Sequence, residues 1–407
     1  MFRQLGLETP LLKGVEAMGY ECPTPIQQQA IPHVLEGKDV VGSAQTGTGK
    51  TAAFILPTLQ RLSSKKGIKA LVVTPTRELA LQIEEVALLC ARITGHHVAA
   101  VYGGVGYGPQ RAALRKGVDL LVATPGRVLD LHQHRDLSLS GVEVLVLDEA
   151  DRMLDMGFWP DVRRIIATLP ARRQNLLFSA TMSPTVLSVI GSALVDPVHI
   201  EVGPKATPVE SVDQAVYPVS GMQKAELLVQ LLEQKHLDRV LVFSRTKHRA
   251  DRICKILKRN NINGAAIHSN RTQQQRQKAL DGFKSGRYRV LVATDIVARG
   301  IDVEDISHVI NYDLPNTADE YLHRIGRTAR AGSSGTAFTF LSPEEIPGLR
   351  EIEGHIGMTL RCEDVEGFDY RDRIVPDRNR AAKKVVRMAF NGGAMSRRGR
   401  RPRIKRR

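Results

Sequence analysis

Ten short apolar runs, several ending directly in polar or glycine-rich turns and alternating with helical patterns, restrict this chain more than any other feature. Five fall in the first half, at residues 40–41, 70–74, 120–123, 144–147 and 176–179. Five more fall at 240–243, 265–267, 290–293, 308–310 and 337–341. Strands alternating with helices are the βαβ rhythm of a parallel sheet. Between the two series, residues 202–212 hold Gly203, Pro204, Thr207 and Pro208 and read as a linker. The expectation is an α/β chain of two tandem domains, 1–203 and 213–369, joined by 204–212 and enclosing a cleft. Ligands of open α/β sheets sit at the carboxyl ends of the strands, so the turns after the runs are where chemistry belongs.

The 407 residues suit two or three domains. No apolar run approaches the ~18 residues of a membrane span, and the opening MFRQLGLETP lacks a signal peptide's apolar core. A cytoplasmic protein without membrane contact is expected. Cys22, Cys90, Cys254 and Cys362 are far apart, in neither metal-ligand nor disulfide spacing. The net charge of +15 is concentrated at one end: residues 371–407 carry 15 Lys or Arg against 2 Asp or Glu, leaving +2 for the rest. The segment 370–407 therefore reads as a disordered cationic tail suited to a polyanion.

The turn after the first run is Ala44-Gln45-Thr46-Gly47-Thr48-Gly49-Lys50-Thr51, followed by a helical pattern at 52–62. Glycines let backbone N–H groups converge on phosphates, and a helix N-terminus adds a favourable dipole. Lys50 is placed to neutralise β/γ-phosphate charge and Thr51 to hold Mg²⁺. Ala44 stands where the general motif has Gly. The run at 144–147 ends in Asp148-Glu149-Ala150-Asp151. Phosphoanhydride hydrolysis needs one carboxylate on Mg²⁺ and another group to orient water; Asp148 suits the first role and Glu149 the second.

Asp-Glu-Ala-Asp is the signature of the DEAD-box RNA helicases, and the chain resembles that family over residues 2–345. Phe2 and Gly19 through Gln27 resemble the Q motif. The resemblance implies that Gln27 reads the adenine edge, Tyr20 packs near the ring, and Thr46, Gly47, Thr48, Gly49 and Lys50 wrap the phosphates. Pro75-Thr76-Arg77, Gly103-Gly104 and Thr124-Pro125-Gly126-Arg127 resemble the first domain's RNA motifs. Ser179-Ala180-Thr181 resembles the motif coupling hydrolysis to unwinding. In the second domain, Thr246, the His268–Arg276 segment, Thr294 with Arg299, and Asp302 resemble motifs IV and V, with Asp302 toward the ATP ribose. Ser269 and Ala329 stand where the family usually has Gly. Arg327 and Arg330 resemble arginine fingers worth roughly 10³–10⁵ in rate.

By that resemblance the fold is two tandem RecA-like domains, and the activity is RNA-stimulated ATP hydrolysis with local, non-processive duplex unwinding or remodelling of RNA–protein complexes. Mg²⁺ is the cofactor and RNA the partner, bound through its phosphates without sequence preference. A monomer is expected, acting with ribosome-assembly or RNA-decay complexes. The compact body and short tail look most like the bacterial RhlE-type branch. Two rivals share the motifs: a DNA helicase on the same fold, and an ATP-gated RNA clamp with little unwinding.

Overall fold

The computed structural model describes residues 2–44, 47–63, 66–182, 186–187, 191, 193–202, 212–235, 237–295, 306–328 and 335–371. Two seven-stranded sheets organise them. The first contains β1 (Val40–Ala44), β2 (Ala70–Val73), β3 (Val98–Val101), β4 (Leu120–Ala123), β5 (Val144–Asp148), β6 (Gln174–Ser179) and β7 (Val198–Val202), in the order β3-β4-β2-β5-β6-β1-β7. The second contains β8 (Val212–Pro218), β9 (Val240–Phe243), β10 (Gly264–Ile267), β11 (Val290–Ala293), β12 (His308–Asn311), β13 (Gly335–Leu341) and β14 (Arg361–Cys362), in the order β10-β11-β9-β12-β13-β8-β14. Every pairing is parallel. This is the tandem RecA-like α/β architecture.

The apolar runs form strands because helices cover both faces of each sheet, so consecutive residues are buried on opposite sides. In the first sheet Val72, Val122, Val146 and Phe178 face one core, while Leu71, Leu121, Leu145 and Leu177 face the other. The second sheet repeats the arrangement with Leu241 and Leu291 on one side and Val242 and Val292 on the other. Each such side chain contributes about 1.5–3 kcal/mol by leaving water.

All ten expected runs lie in strands. Four further strands were not anticipated: β3, β7, β8 and β14. β3 and β7 are edge strands with half-exposed residues, and β14 has only two residues. β8 opens at Val212, where the linker reading ended, and it carries the polar Asp213 and Gln214. Gln214 is nonetheless buried, accepting the Tyr321 hydroxyl at 2.7 Å. Residues 203–211 of the expected linker and 372–407 of the expected tail lie outside the described residues. The ordered body reaches past position 369: Tyr370 packs its ring on Phe368, with centroids 4.7 Å apart, and Gln223 accepts from the Arg371 N–H at 3.0 Å. Among the described residues, no helix is long and apolar enough to cross a membrane.

Candidate active site

β1 delivers the phosphate loop, and the helix Lys50–Arg61 begins with Lys50. Gly47 and Gly49 have φ of 86° and 87°, conformations that favour glycine. At Gly49 a Cβ would lie 2.4 Å from Gln27 Nε2, which donates to the Gly49 carbonyl at 3.1 Å. Gln27 Oε1 meanwhile accepts from the Thr24 N–H at 2.9 Å, closing a capping box on the helix Pro25–Leu35. Gln27 thus braces the phosphate loop, with one N–H and one lone pair left for an adenine edge. Tyr20 is exposed, whereas Phe2 is buried in the first core. Lys50 is buried and donates to the Ala44 carbonyl at 2.6 Å. Thr48 and Thr51 are half-buried, and Thr46 lies outside the described residues.

β5 delivers the acids. Burial pushes Asp148 up to about 7, with the Lys50 charge pulling it down and Glu149 pushing it further up. The Glu149 N–H donates to Asp148 Oδ1 at 3.0 Å. A desolvated carboxylate with oxygen lone pairs to spare beside a phosphate loop suits Mg²⁺, which takes one or two protein carboxylates and completes its shell from phosphates and water. Glu149 has φ 55° and ψ 50°, a left-handed conformation that costs a non-glycine residue of order 1–3 kcal/mol. Its carboxylate meets Arg152 Nη1 at 2.5 Å, and both side chains are buried. Sequence reasoning missed Arg152; the acid–base spacing of three on a helix was the available signal.

Asp151 was also missed as a site residue. Its backbone N–H donates to Ser179 Oγ at 3.2 Å, and its Oδ2 accepts from both the N–H and the hydroxyl of Thr181 at 3.0 Å. Burial would raise its pKa, but hydrogen bonding with Ser179 and the charges of Lys50, Arg152 and His323 hold it below the usual carboxylate range. His323 belongs to the second sheet's helix Ala318–Ile325, so both domains shape the field at this acid.

On the second domain's side, Arg327 is buried, with Nε donating to the His323 carbonyl at 3.3 Å. Arg299, Asp302 and Arg330 lie outside the described residues. Arg324, not singled out beforehand, grips Asp295 with Nε and Nη2 at 2.6 and 2.8 Å. Its Nη1 donates to Asn311 Oδ1 at 3.2 Å and the Asp313 carbonyl at 2.7 Å. A planar fork on a carboxylate fixes geometry as well as charge, so Arg324 ties the turn after β11 to the end of β12.

The residues expected to meet RNA lie at strand ends and helix starts. Pro75 and Thr76 follow β2, and Thr76 Oγ1 accepts from the Leu79 N–H at 3.3 Å, capping the helix Arg77–Thr94. Arg77 lies over Gly104, where a Cβ would sit 2.0 Å from Nη1; φ there is 76°. Thr124 N-caps the helix Pro125–Gln133 without a side-chain hydrogen bond. Arg127 turns inward instead of toward solvent: it is 8% exposed and donates to Gln110 Oε1 and the Val105 carbonyl, each at 3.0 Å. In the second domain Thr246 Oγ1 accepts from the Arg249 N–H at 3.2 Å, and Thr294 follows β11 half-buried. Arg276 Nη2 lies 2.6 Å from Glu78 Oε2, and Gln273 Nε2 donates to Glu78 Oε1 at 3.2 Å. These contacts join the two domains.

A strand-to-helix phosphate loop after β1, an acid pair at the end of β5, one strand removed from β1 in the same sheet, and a second RecA-like domain against it define a nucleoside-triphosphate hydrolase. Family profiles agree: DEAD/DEAH box helicase matches residues 24–189, and helicase conserved C-terminal domain matches 223–332. The DEAD-box ATP-dependent RNA helicase CshA of Bacillus cereus (strain ATCC 10987 / NRS 248) is 42% identical over 353 residues, covering 86% of this chain and 67% of the relative. The chain belongs to the DEAD-box ATP-dependent RNA helicases. Among solved structures, S. cerevisiae Dbp5 bound to RNA and ADP BeF3 superposes with a TM-score of 0.80 at 31% identity, over 89% of this chain and 95% of that one. A DEAD box protein from Methanococcus jannaschii is 37% identical over 89% of this chain and 98% of that one, yet scores 0.51.

Proposed function

We propose that this helicase couples RNA-stimulated ATP hydrolysis to local, non-processive separation of short duplexes or to remodelling of RNA–protein complexes. The observation that carries the reading is the acid pair at the end of β5, faced by Lys50 and reached by the field of His323 from the other domain. Such a site is complete only when the domains close.

In this reading Lys50 neutralises the β/γ-phosphates, and Gln27 and Tyr20 hold the adenine, with Phe2 bracing the segment from the core. Glu149 orients the attacking water and takes its proton. Bound through Asp148 and Thr51, Mg²⁺ supplies charge neutralisation at the phosphates. Arg327 and Arg330 stabilise charge developing on the transferred group, and Asp302 holds the ribose. Ser179 and Thr181 couple hydrolysis to RNA through Asp151.

RNA lies along Pro75, Thr76, Arg77, Gly104, Thr124, Pro125 and Gly126 in the first domain and Thr246, Thr294 and Arg299 in the second. These groups are suited to phosphates, which carry no direct sequence information. Arg127, with its guanidinium engaged inside the protein, serves this surface by holding it in shape. The likeness to S. cerevisiae Dbp5 bound to RNA supports RNA as the ligand.

We take the domain limits as 1–203 and 213–369, with the cationic tail adding RNA affinity. A monomer in a reducing cytoplasm fits four cysteines that are all free. Ribosome-assembly or RNA-decay complexes are the partners in this reading. Placement in the RhlE-type branch rests on the compact body and short tail, while the matched relative above carries the name CshA.

The test is ATPase activity with no nucleic acid, single-stranded RNA, duplex RNA and matched DNA, alongside strand displacement. Stimulation by RNA alone with displacement of short duplexes is expected. Equal stimulation by DNA would favour the DNA-helicase rival, and RNA-stimulated hydrolysis without displacement would favour the clamp.

A further inference from the structure

The segment between Gly104 and the helix Pro125–Gln133 carries a side-chain cluster that the reading above leaves unused. Tyr107 opens the helix Tyr107–Arg115 and is 38% exposed. Its ring lies under two guanidinium groups: Arg127 Cζ is 4.4 Å from the centroid and Arg111 Cζ is 5.0 Å away. Its hydroxyl donates to Asp130 Oδ2 at 2.5 Å. Asp130 also stands 3.8 Å from Arg127 Nε. Arg127 reaches Gln110 and the Val105 carbonyl, and Gln110 Nε2 in turn donates to the Tyr102 carbonyl at 3.0 Å. One aromatic side chain therefore closes a ring of contacts between the Gly103–Gly104 turn and the first two turns of Pro125–Gln133.

At the start of that helix Pro125 has no N–H, and the Arg127 and Val128 N–H groups both donate to the Thr124 carbonyl at 3.2 Å, so with no capping bond from the Thr124 hydroxyl the first turn presents the Gly126 N–H. An N–H at the positive end of a helix dipole suits a phosphate. Arg127 and Asp130, the two residues Tyr107 contacts, both lie in the first two turns of that helix.

We propose that Tyr107 is a positioning residue for RNA binding, acting through Arg127 and Asp130 to aim the start of the helix Pro125–Gln133 at a backbone phosphate. The proposal rests on the reading that Thr124–Gly126 meets RNA. Ring and hydroxyl have separate tasks. The ring neutralises the desolvated face of Arg127 by cation–π attraction, and the hydroxyl fixes Asp130 so that it faces Arg127 and not solvent.

The full chain is assayed for the RNA concentration giving half-maximal ATPase, for kcat at saturating RNA, and for the KM of ATP. Tyr107→Leu removes ring electrons and hydroxyl and should raise the RNA requirement about five- to thirty-fold. The kcat and the KM of ATP should stay within two-fold. Tyr107→Phe keeps the ring and should fall between Leu and wild type. In an Arg127→Lys background, where the planar fork is already lost, Tyr107→Leu should add less than two-fold.

Gly126→Asp tests the reading beneath the proposal. A Cβ at Gly126 meets nothing within 4 Å, and an acid in a helix's first turn favours folding, yet its charge repels phosphate. If Gly126→Asp raises the RNA requirement at least ten-fold while Tyr107→Leu leaves it unchanged, the helix start binds RNA and the role of Tyr107 is refuted. If Gly126→Asp has no effect, the RNA reading of this helix fails and takes the proposal with it. Additive effects of Tyr107→Leu and Arg127→Lys would also overturn it.

Discussion

Removing Arg276 should disable closure of the two domains without unfolding either. Arg276 and Glu78 come from helices of different domains and are 7% and 2% exposed as a pair, 2.6 Å apart. Burial and the neighbouring Arg77 charge depress the Arg276 pKa, while Glu78 sustains it. The pair is desolvated only because the domains meet; apart, each group returns to water. Arg276→Met therefore leaves a carboxylate buried without its counter-ion in the closed state alone. Breaking one side of a buried pair costs roughly 3–5 kcal/mol, which lowers the closing equilibrium by about two to nearly four orders of magnitude. Gln273, still donating to Glu78, keeps the loss toward the lower end. The assay places one dye on each domain and follows energy transfer on adding RNA with a non-hydrolysable ATP analogue, in parallel with RNA-stimulated ATPase. Closure and RNA stimulation should fall together while the thermal midpoint of the free protein moves by no more than a degree or two. The double variant Glu78→Gln with Arg276→Met, which leaves no buried charge, should close better than Arg276→Met alone. Wild-type closure by Arg276→Met, or a midpoint that collapses without ligands, would refute the reasoning.

Glu149→Gln should keep ATP and RNA binding but lose turnover by several orders of magnitude, measured as stable RNA complexes with near-zero kcat; a normal kcat would remove Glu149 from the mechanism. Asp148 supplies a pH prediction. Its folded pKa of about 7 exceeds the unfolded value of 3.8, so near pH 6 the fold retains a proton that the unfolded chain has released, and stability falls as pH rises through 7. Without Mg²⁺, the thermal midpoint should drop from pH 6 to pH 8 more for the wild type than for Asp148→Asn; parallel curves would contradict this. Deleting residues 371–407 should flatten the salt dependence of RNA binding, each lost phosphate contact removing about 0.7 from the log–log slope on single-stranded RNA, while kcat at saturating RNA changes only a few-fold. An unchanged slope would make the tail a solvated appendage.

Much of this protein could be read from its residues because buried parallel strands are short apolar runs, and the chemistry follows them at their ends. Val144 to Leu147 announces a strand, and Asp148 and Glu149 then occupy its carboxyl end. Strands at an edge or opening on polar residues do not announce themselves: Val198–Val202 alternates, and Val212–Pro218 carries an exposed Asp213 and a buried Gln214 into the sheet. Whether a charge points inward was equally illegible. Arg127 and Arg77 look alike in sequence, yet Arg127 is locked among Gln110, Val105 and Tyr107. Glu78 reads as a favourable acid in a helix's first turn, and nothing local says that it meets Arg276, 198 positions away. Such pairings arise from domain placement, which residue patterns within either domain do not encode.

The attachment of the Ser179–Thr181 turn to Asp151 sets a ceiling on signalling between them. Three hydrogen bonds make up that attachment, two of them to a carboxylate held ionised. Bonds to a charged group contribute about 1.5–3 kcal/mol each and the neutral one about 1, so this linkage can carry roughly 4–7 kcal/mol of coupling free energy at most. Because coupling is reciprocal, whatever RNA gains at the turn, the nucleotide side returns in equal measure. A tightening of nucleotide binding by RNA beyond about 10³- to 10⁵-fold would exceed the capacity of this connection, and the surplus would have to arrive across the cleft, with the arginines of the second domain.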